Sequence, residues 1–270
     1  MLRDISIGQF FPGKSVVHRL DPRAKIIFTV AFIVLIFLAK NLASFALVIL
    51  FSLAVILIAK ISVKVVLKGI KPIIPLILFT AVLNLFFMSG TPVFHWWIIT
   101  ITKEGIRLSV LMTIRIICLI SGASLLTYTT SPIALTDAIE RLFKPLKRIH
   151  FPVHEMAMMM TIALRFIPTL IEETDKIMSA QKARGADMET GGLIKRAKAL
   201  IPILIPLFVS AFRRAEELAL AMECRCYQGG EGRTRMKQLH FSSLDFWAAL
   251  TFILLIAATL LLNYIVPPLF

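Results

Sequence analysis

Charged side chains are scarce in this sequence. Only 17% of its 270 residues are Asp, Glu, Lys or Arg, whereas 58% are hydrophobic. Soluble proteins carry about 25% charged and roughly 45–50% apolar residues. A soluble fold could not bury so much apolar side chain, and a disordered chain would be far more polar. The composition therefore excludes both classes and indicates an integral membrane protein.

Acidic residues are the scarcer of the two charge signs. The chain has 16 Asp and Glu against 30 Lys and Arg, which gives a net charge of +14. In a soluble protein such an excess would suggest nucleic-acid binding. In a membrane protein it follows from the enrichment of Lys and Arg in cytoplasmic loops. We therefore expect a lipid bilayer around the chain and no nucleic-acid partner.

Cysteine is also rare, and the polar residues form no catalytic set. The three cysteines, Cys118, Cys224 and Cys226, are odd in number and lack the spacing of a disulfide framework. The pair Cys224-x-Cys226 lacks the two further ligands that zinc needs, so it predicts free thiols and no metal site. The histidines are scattered, and no nucleophile is paired with a base. The sequence thus predicts a non-enzymatic protein without a cofactor.

One motif matches a nucleotide-binding pattern without its context. Residues 8–15 read GQFFPGKS, which fits the phosphate-binding loop GxxxxGK[ST]. That loop needs a strand before it and a helix that begins at its Lys, so that backbone amides converge on the phosphate. No alternation of strands and helices follows that could build the sheet. We expect no nucleotide site here.

Long apolar segments predict the membrane architecture. A spanning helix needs about 20 apolar residues, and five segments are long enough. They are residues 22–41, 42–59, 72–88, 105–127 and 244–266. Asp21 is placed to cap the first of them, and Pro22 suits its first helical position. The sequence therefore predicts an all-α integral membrane protein with about five transmembrane helices.

Lys and Arg are distributed unevenly over the connections between these segments. Basic residues are frequent before the first segment and after the second, where Lys60, Lys64, Lys68 and Lys71 follow one another. The connections on the other side carry few basic residues. Because cytoplasmic connections are enriched in Lys and Arg, we expect a cytoplasmic N-terminus and an external C-terminus.

A mixed-charge region separates the fourth segment from the fifth. Its pattern predicts three helices, at about 132–149, 153–182 and 193–226. We therefore expect three parts in the chain. They are an N-terminal membrane domain at 1–130, a cytoplasmic domain of long helices at 131–243 and a last transmembrane helix at 244–270. The apolar stretches within 153–212 leave open whether parts of this region dip into the membrane.

The two long helices share a seven-residue apolar repeat. It runs through Met156, Ala163, Leu170 and Ile177 in one helix and through Leu204, Ala211 and Leu218 in the other. Such a repeat is typical of helices that pack on each other or on a neighbour. Arg184 and Arg225 continue it by seven residues at the two helix ends. A cation at a helix C-terminus also favours the helix dipole, so the spacing leaves open both a docking and a stabilising role.

Several motifs taken together resemble a known transporter family. They are residues 18–25 (HRLDPRAK), 164–168 (LRFIP), 183–185 (ARG) and 221–227 (AMECRCY), followed by residues 229–235 (GGEGRTR). On these motifs nearly the whole chain resembles the transmembrane T component of energy-coupling factor transporters. Members of this family are parts of ATP-driven importers of vitamins and metal ions. The resemblance implies a multi-pass protein of a prokaryotic cell membrane.

The resemblance also implies a role for the helix ends. In the family, a short arginine motif at the tip of each of two long helices sits in a groove of one ATPase subunit. On this sequence the motifs comprise Ala183, Arg184 and Gly185, and Glu223, Cys224, Arg225 and Cys226. Cys224 and Cys226 stand where the family usually has Ala and Gly. This departure leaves open whether the second tip needs a glycine conformation.

The implied partners are two ABC-type ATPase subunits, which hydrolyse ATP, and a small membrane-embedded substrate-binding subunit, the S subunit. Met156, Met158, Met159 and Met160 offer the S subunit an adaptable apolar surface, although core filling is an alternative role. The chain itself is expected to be a scaffold and energy coupler without ATPase activity. A secondary transporter that carries substrate itself is the competing hypothesis. A secondary transporter is expected to have paired charges within its membrane segments, which the sequence lacks.

Overall fold

The computed structural model describes residues 10–88, 90–96, 99–186, 192–229 and 238–266. These residues divide into two compact units. The bundle unit comprises the described residues of 10–138 and 239–266. The arm unit comprises those of 139–238.

Helices dominate both units. Within the described ranges, α1 to α10 are Val16–Arg19, Pro22–Leu38, Leu42–Ala59, Val63–Ile70, Ile74–Phe87, Lys103–Thr129, Pro132–Phe143, Val153–Ala183, Leu193–Glu223 and Ser243–Ile265. Short 3₁₀ turns at Lys71–Ile73 and Lys144–Ile149 follow α4 and α7. Strands β1 (Pro92–Trp96) and β2 (Ile99–Thr102) form an antiparallel hairpin before α6. The all-α fold class is confirmed, and this small hairpin is an addition that the sequence did not predict.

Within the described residues, four helical stretches have the length and apolar composition to cross a membrane. They are Leu42–Ala59, Val63–Phe87, Lys103–Thr129 and Ser243–Ile265. The second joins α4, the 3₁₀ turn and α5, so it starts earlier than the segment predicted from residue 72. The first predicted segment is α2, whose 17 residues stand at the short end of the spanning range of about 17–25. A fifth span therefore stays a prediction.

The helix starts follow from their capping residues. Asp21 Oδ1 accepts a hydrogen bond from the N–H of Arg23 at 2.8 Å, and Pro22 is the first residue of α2, as predicted. At the start of α10, Ser242 and Asp245 form a reciprocal capping box. These caps satisfy N–H groups that have no partner inside the helix.

The core of the bundle unit lies where α2, α3, α6 and α10 meet. Its buried apolar residues are Phe32, Leu35, Ile36, Ala39, Phe45, Val48, Leu111, Cys118, Phe252 and Leu255. Gly122 in α6 permits this packing, because a Cβ there would lie 2.6 Å from the ring of Phe32. On the opposite face of α3, Leu50 and Leu57 are each 68% exposed. A helix that is apolar on all sides in this way suits a lipid environment.

The arm unit is built on α8 and α9, which have 31 residues each. Arg214 Nη2 of α9 donates to Glu173 Oε2 of α8 at 3.0 Å, and the hydroxyl of Ser210 donates to the same carboxylate. Closer to the end of α8, Gln181 Nε2 donates to the carbonyl of Pro202 at 3.3 Å. A later residue of α8 thus contacts an earlier residue of α9, since Glu173 pairs with Arg214 whereas Gln181 pairs with Pro202. The two helices therefore run antiparallel.

The predicted seven-residue repeat holds only near these contacts. The partly buried members are Leu170, Ile177, Ala211 and Leu218. Met156, Ala163 and Leu204 are exposed, so they do not pack within the α8–α9 pair, and their packing on a neighbour stays a prediction. A straight helix drifts by about 20° per heptad relative to a seven-residue repeat. The repeat therefore cannot face one partner along the whole length of such long helices.

Candidate functional site

The end of α8 is a tight turn directly after Arg184. Gly185 has a φ of +85°, in the left-handed region that favours glycine. The N–H of Ala186 donates to the carbonyl of Gln181, and the N–H of Gly185 donates to that of Lys182, both at 3.0 Å. This pair of bonds is a Schellman motif, which satisfies the last carbonyls of a helix. Arg184 is the cap residue of α8.

The end of α9 has the same turn after Arg225. The N–H of Tyr227 donates to the carbonyl of Met222 at 3.1 Å, and the N–H of Cys226 donates to that of Glu223 at 2.8 Å. Cys226 has a φ of +52°. The second tip thus adopts the glycine conformation with a cysteine in place of glycine. Residues 230–235, which carry most of the motif after this tip, lie outside the described part of the chain.

The two tips are equivalent in backbone and in charge. Ala183 corresponds to Cys224, Arg184 to Arg225, and Gly185 to Cys226. Both arginines are exposed, and neither guanidinium has a hydrogen-bond or ion-pair partner among the described residues. Because α8 and α9 run antiparallel, the tips point towards opposite ends of the pair. The arm unit therefore presents two matched, unpaired cations in two separate places.

The predicted methionine surface lies in the first third of α8. Met156, Met159 and Met160 are 40%, 59% and 41% exposed, and Met158 is half-buried. The three exposed methionines therefore do not fill the core of the arm unit. Their exposure is compatible with a surface that binds a partner.

One of the apolar stretches noted within 153–212 forms a groove on α9 that the sequence did not predict. Its exposed apolar residues are Leu204, Ile205, Phe208, Val209 and Phe212, with Arg213 and Glu216 at its edge. Their spacing of three to four residues places them on one helix face, so hydrophobic periodicity could have revealed it. A contiguous exposed apolar surface of this kind marks a site for a partner or for lipid.

The phosphate-loop motif is closed by its own neighbour. Of its eight residues, 8 and 9 lie outside the described ranges. Ser15 caps α1, a helix of only four residues. The imidazole of His18 lies over Gly13, 2.7 Å from the position of a Cβ there, and contacts the carbonyl of Phe11 at 3.0 Å. The described part of the loop therefore packs on His18 instead of opening towards a phosphate.

Cys224 and Cys226 are exposed and form no disulfide. In the described part of the chain, no three His, Cys, Asp or Glu side chains are grouped so that they could hold a metal ion.

Together, the apolar helices and the paired tips define a helical membrane protein that carries an arm of two long helices. The CbiQ family, described as cobalt transport protein, matches residues 13–236. The chain is 54% identical over 265 residues to the energy-coupling factor transporter transmembrane protein EcfT of Ruminiclostridium cellulolyticum, covering 98% of this chain and 99% of the relative. Proteins of the same name from Clostridium kluyveri and Bacillus subtilis are 53% and 46% identical, over 97% and 95% of this chain and 97% of each relative.

The chain therefore belongs to the family of transmembrane T components of energy-coupling factor transporters, as its motifs predicted. It is a membrane subunit of a transporter and works in a complex with other subunits. The competing hypothesis, a secondary transporter that acts alone, is not favoured by this membership.

Proposed function

We propose that this chain couples ATP hydrolysis to import by binding two cytoplasmic ABC-type ATPase subunits, one at each tip. The observation that carries the proposal is the presence of two equivalent arginine tips at opposite ends of the α8–α9 pair. An exposed Arg presents a planar fork of donors that can bind carboxylates or backbone carbonyls of a partner. Two separate tips can each bind a groove on a different ATPase subunit. ATP binding and hydrolysis then belong to the partners.

The S subunit is the third partner in this proposal. We expect it to bind one or both of two separate apolar surfaces, the methionines Met156, Met159 and Met160 of α8 and the groove of α9. Support comes from the exposure of these side chains and from the adaptability of Met, which allows one surface to receive different partners. The S subunit, and not this chain, captures the vitamin or metal ion that is imported.

The proposed orientation places the N-terminus and residues 131–243 in the cytoplasm. Residues 1–130 and 244–270 then form the membrane-embedded part of a prokaryotic plasma membrane protein. The proposal is supported by the exposed Lys60, Lys64, Lys68 and Lys71, which surround the connection between α3 and α5. Lysines cluster in this way on the cytoplasmic side of membrane proteins.

The test replaces each tip arginine in the complete complex. Loss of one charge-assisted contact at a buried interface costs on the order of 2–5 kcal/mol. Arg184→Ala or Arg225→Ala should therefore weaken ATPase copurification and reduce import, and the double variant should do worse than either. Lys should rescue poorly, since it lacks the planar fork. Arg148→Ala, at an exposed arginine of the arm unit outside both tips, is the matched control.

ATPase copurification and import are measured at equal amounts of protein in the membrane. If the double variant retains its ATPases and imports normally, the tips are not the coupling sites and the proposal fails.

A further inference from the structure

A short segment of the bundle unit binds the chain both before it departs to the arm unit and after it returns. The chain enters the arm unit between residues 138 and 139 and returns to the bundle unit between residues 238 and 239. Residues 21–25, at the start of α2, contact the chain before the first connection and directly after the second. All of these contacts lie within the bundle unit.

Arg23 holds the returning chain. Its Nη2 donates to the carbonyl of Leu239 at 3.3 Å, and its guanidinium lies 4.1 Å from the ring centroid of Phe241. Leu239 is the first residue of the bundle unit after the return. The guanidinium is itself fixed by Asp21, with Nε 3.0 Å from Oδ1 and Nη2 2.7 Å from Oδ2. Such a two-bond pair defines orientation as well as distance.

Asp245 fixes the helix that follows the return. Its Oδ1 accepts a hydrogen bond from the N–H of Asp21 at 2.8 Å, and its Oδ2 accepts one from the N–H of Ser242 at 2.7 Å. Asp21 and Asp245 are each only 5% exposed. The first turn of α10 is thereby bound to the residue that caps α2.

Lys25 holds the departing chain. Its Nζ donates to the carbonyls of Thr129, at 2.9 Å, and of His18, at 3.1 Å. Thr129 is the last residue of α6, where the helix leaves carbonyls without an internal partner. Three residues further on, at Pro132, α7 begins, and it continues unbroken across the connection into the arm unit. Lys25 is 7% exposed, so its contacts are shielded from water.

The charges of this cluster balance, since Arg23 and Lys25 face Asp21 and Asp245. Buried charge clusters are weak evidence for stability, because well-packed apolar residues often stabilise a fold as well or better. Apolar side chains, however, cannot fix a backbone carbonyl by a directional bond. Three carbonyls are held here: that of Leu239 directly follows the return from the arm unit, that of Thr129 lies at the end of the helix before the departure, and the third is that of His18. The arrangement therefore serves position more than stability.

We propose that residues 21–25 form an anchor that holds both chain connections of the arm unit, so that motion of the arm reaches the bundle helices. The inference rests on the proposed function, since it presupposes that ATPases drive the arm. Arg23 and Lys25 are positioning residues in this scheme. Replacing Arg23 or Lys25 leaves the tips and the ATPases intact. It loosens the chain connections through which motion of the arm unit reaches the bundle helices.

The experiment measures ATP hydrolysis and import by the complete complex in proteoliposomes. The variants are Arg23→Gln and Lys25→Met, with Arg19→Gln as control at an exposed cation just before the anchor. The unaltered complex is first tested with a panel of radiolabelled B vitamins, cobalt(II) and nickel(II). The compound that it imports is then used to measure import by all variants. Both anchor variants should hydrolyse ATP at near-normal rates, while import per ATP hydrolysed falls about fivefold. The control should match the unaltered complex.

A milder variant separates positioning from folding. Arg23→Lys keeps the buried charge but not the planar fork, and it should give an intermediate import per ATP. If all variants import as much per ATP as the control, the anchor is wrong. The anchor is also wrong if Arg23→Lys has normal import per ATP while Arg23→Gln and Lys25→Met lower ATP hydrolysis, import and the amount of assembled complex by the same factor. The role of these residues is then only structural.

The double variant Arg184→Ala, Arg225→Ala is measured in parallel. If it lowers import while the anchor variants match the control, the anchor fails and the proposed function stands. If it keeps its ATPases and imports normally, the proposed function fails, and the anchor fails with it.

Discussion

At the scale of single residues, Gly185 and Cys226 build the same turn at different cost. Both have a positive φ and occupy the same position of a Schellman motif. Glycine adopts this region freely, whereas a residue with a Cβ is strained there by on the order of 1 kcal/mol. The second tip therefore holds strain that the first tip does not.

The first prediction concerns this turn. A Cβ at Gly185 would meet nothing within 4 Å, so Gly185→Ala acts through the backbone alone. Strain on the order of 1 kcal/mol should weaken binding of the proposed ATPase at this tip about fivefold. Cys226→Gly should relieve the second tip and bind at least as well as the unaltered chain. The measurement is the affinity of the purified chain for its ATPases.

Gly192→Ala is the matched control for the turn. Gly192 is exposed and its Cβ would also meet nothing within 4 Å, but its φ is −68°. It should bind normally. Equal affinities of Gly185→Ala and Gly192→Ala would show that the first tip does not need a left-handed residue.

At the scale of elements, a proline in α9 is compensated by α8. Pro206 has no N–H, so the carbonyl of Pro202 lacks its usual donor within the helix. Gln181 of α8 supplies the missing donor at 3.3 Å. The side chain thus ties the last turns of α8, just before its tip, to the proline-containing part of α9.

The second prediction tests this compensation by a double-mutant cycle. Gln181→Leu leaves the Pro202 carbonyl without its donor, and should lower the free energy of unfolding by about 0.5–1.5 kcal/mol. In a Pro206→Ala background, residue 206 regains its N–H, so Gln181→Leu should cost much less. Thermal unfolding of the purified variants gives both differences. The same cost in both backgrounds would contradict the compensation.

Long periodic elements could be predicted from the sequence. The helices expected at 153–182 and 193–226 are Val153–Ala183 and Leu193–Glu223, because an apolar period sustained over many turns resists local ambiguity. The capping role of Asp21 was visible because it depends on adjacent residues. The hairpin before α6 was missed, since its strands have only five and four residues.

Features that depend on distant residues could not be predicted. Arg23 and Leu239 are 216 residues apart, and Lys25 and Thr129 are 104 apart, so no local pattern joins them. Beyond the helix start at Asp21 and Pro22, the sequence identified residues 18–25 only as part of a family motif. The left-handed conformation of Cys226 was equally hidden, because cysteine has no preference for positive φ and the surrounding turn imposes it.

At the scale of the whole molecule, the third prediction concerns orientation. In a cysteine-free background, Lys64→Cys and Lys198→Cys should react with a membrane-impermeant thiol reagent only from the cytoplasmic side. Lys103→Cys, at the first residue of α6, should react from outside, because the basic connections stay in the cytoplasm. All three positions are exposed, so each should react after detergent treatment, which is the control. Labelling of Lys198→Cys from outside alone would reverse the proposed topology.

The antiparallel pair of α8 and α9 has the mechanics of a balanced lever. The ion pair between Glu173 and Arg214 lies the same distance from both tips. Arg184 follows Glu173 by 184 − 173 = 11 residues, and Arg225 follows Arg214 by 225 − 214 = 11 residues. At a helical rise of about 1.5 Å per residue, each tip lies about 16 Å from this ion pair. Equal and opposite forces on the two tips would give a torque about this ion pair and no net force on the pair of helices. A force on one tip alone would displace the pair as well as turn it. Under the proposed function, pure rotation thus requires both ATPases to pull at once.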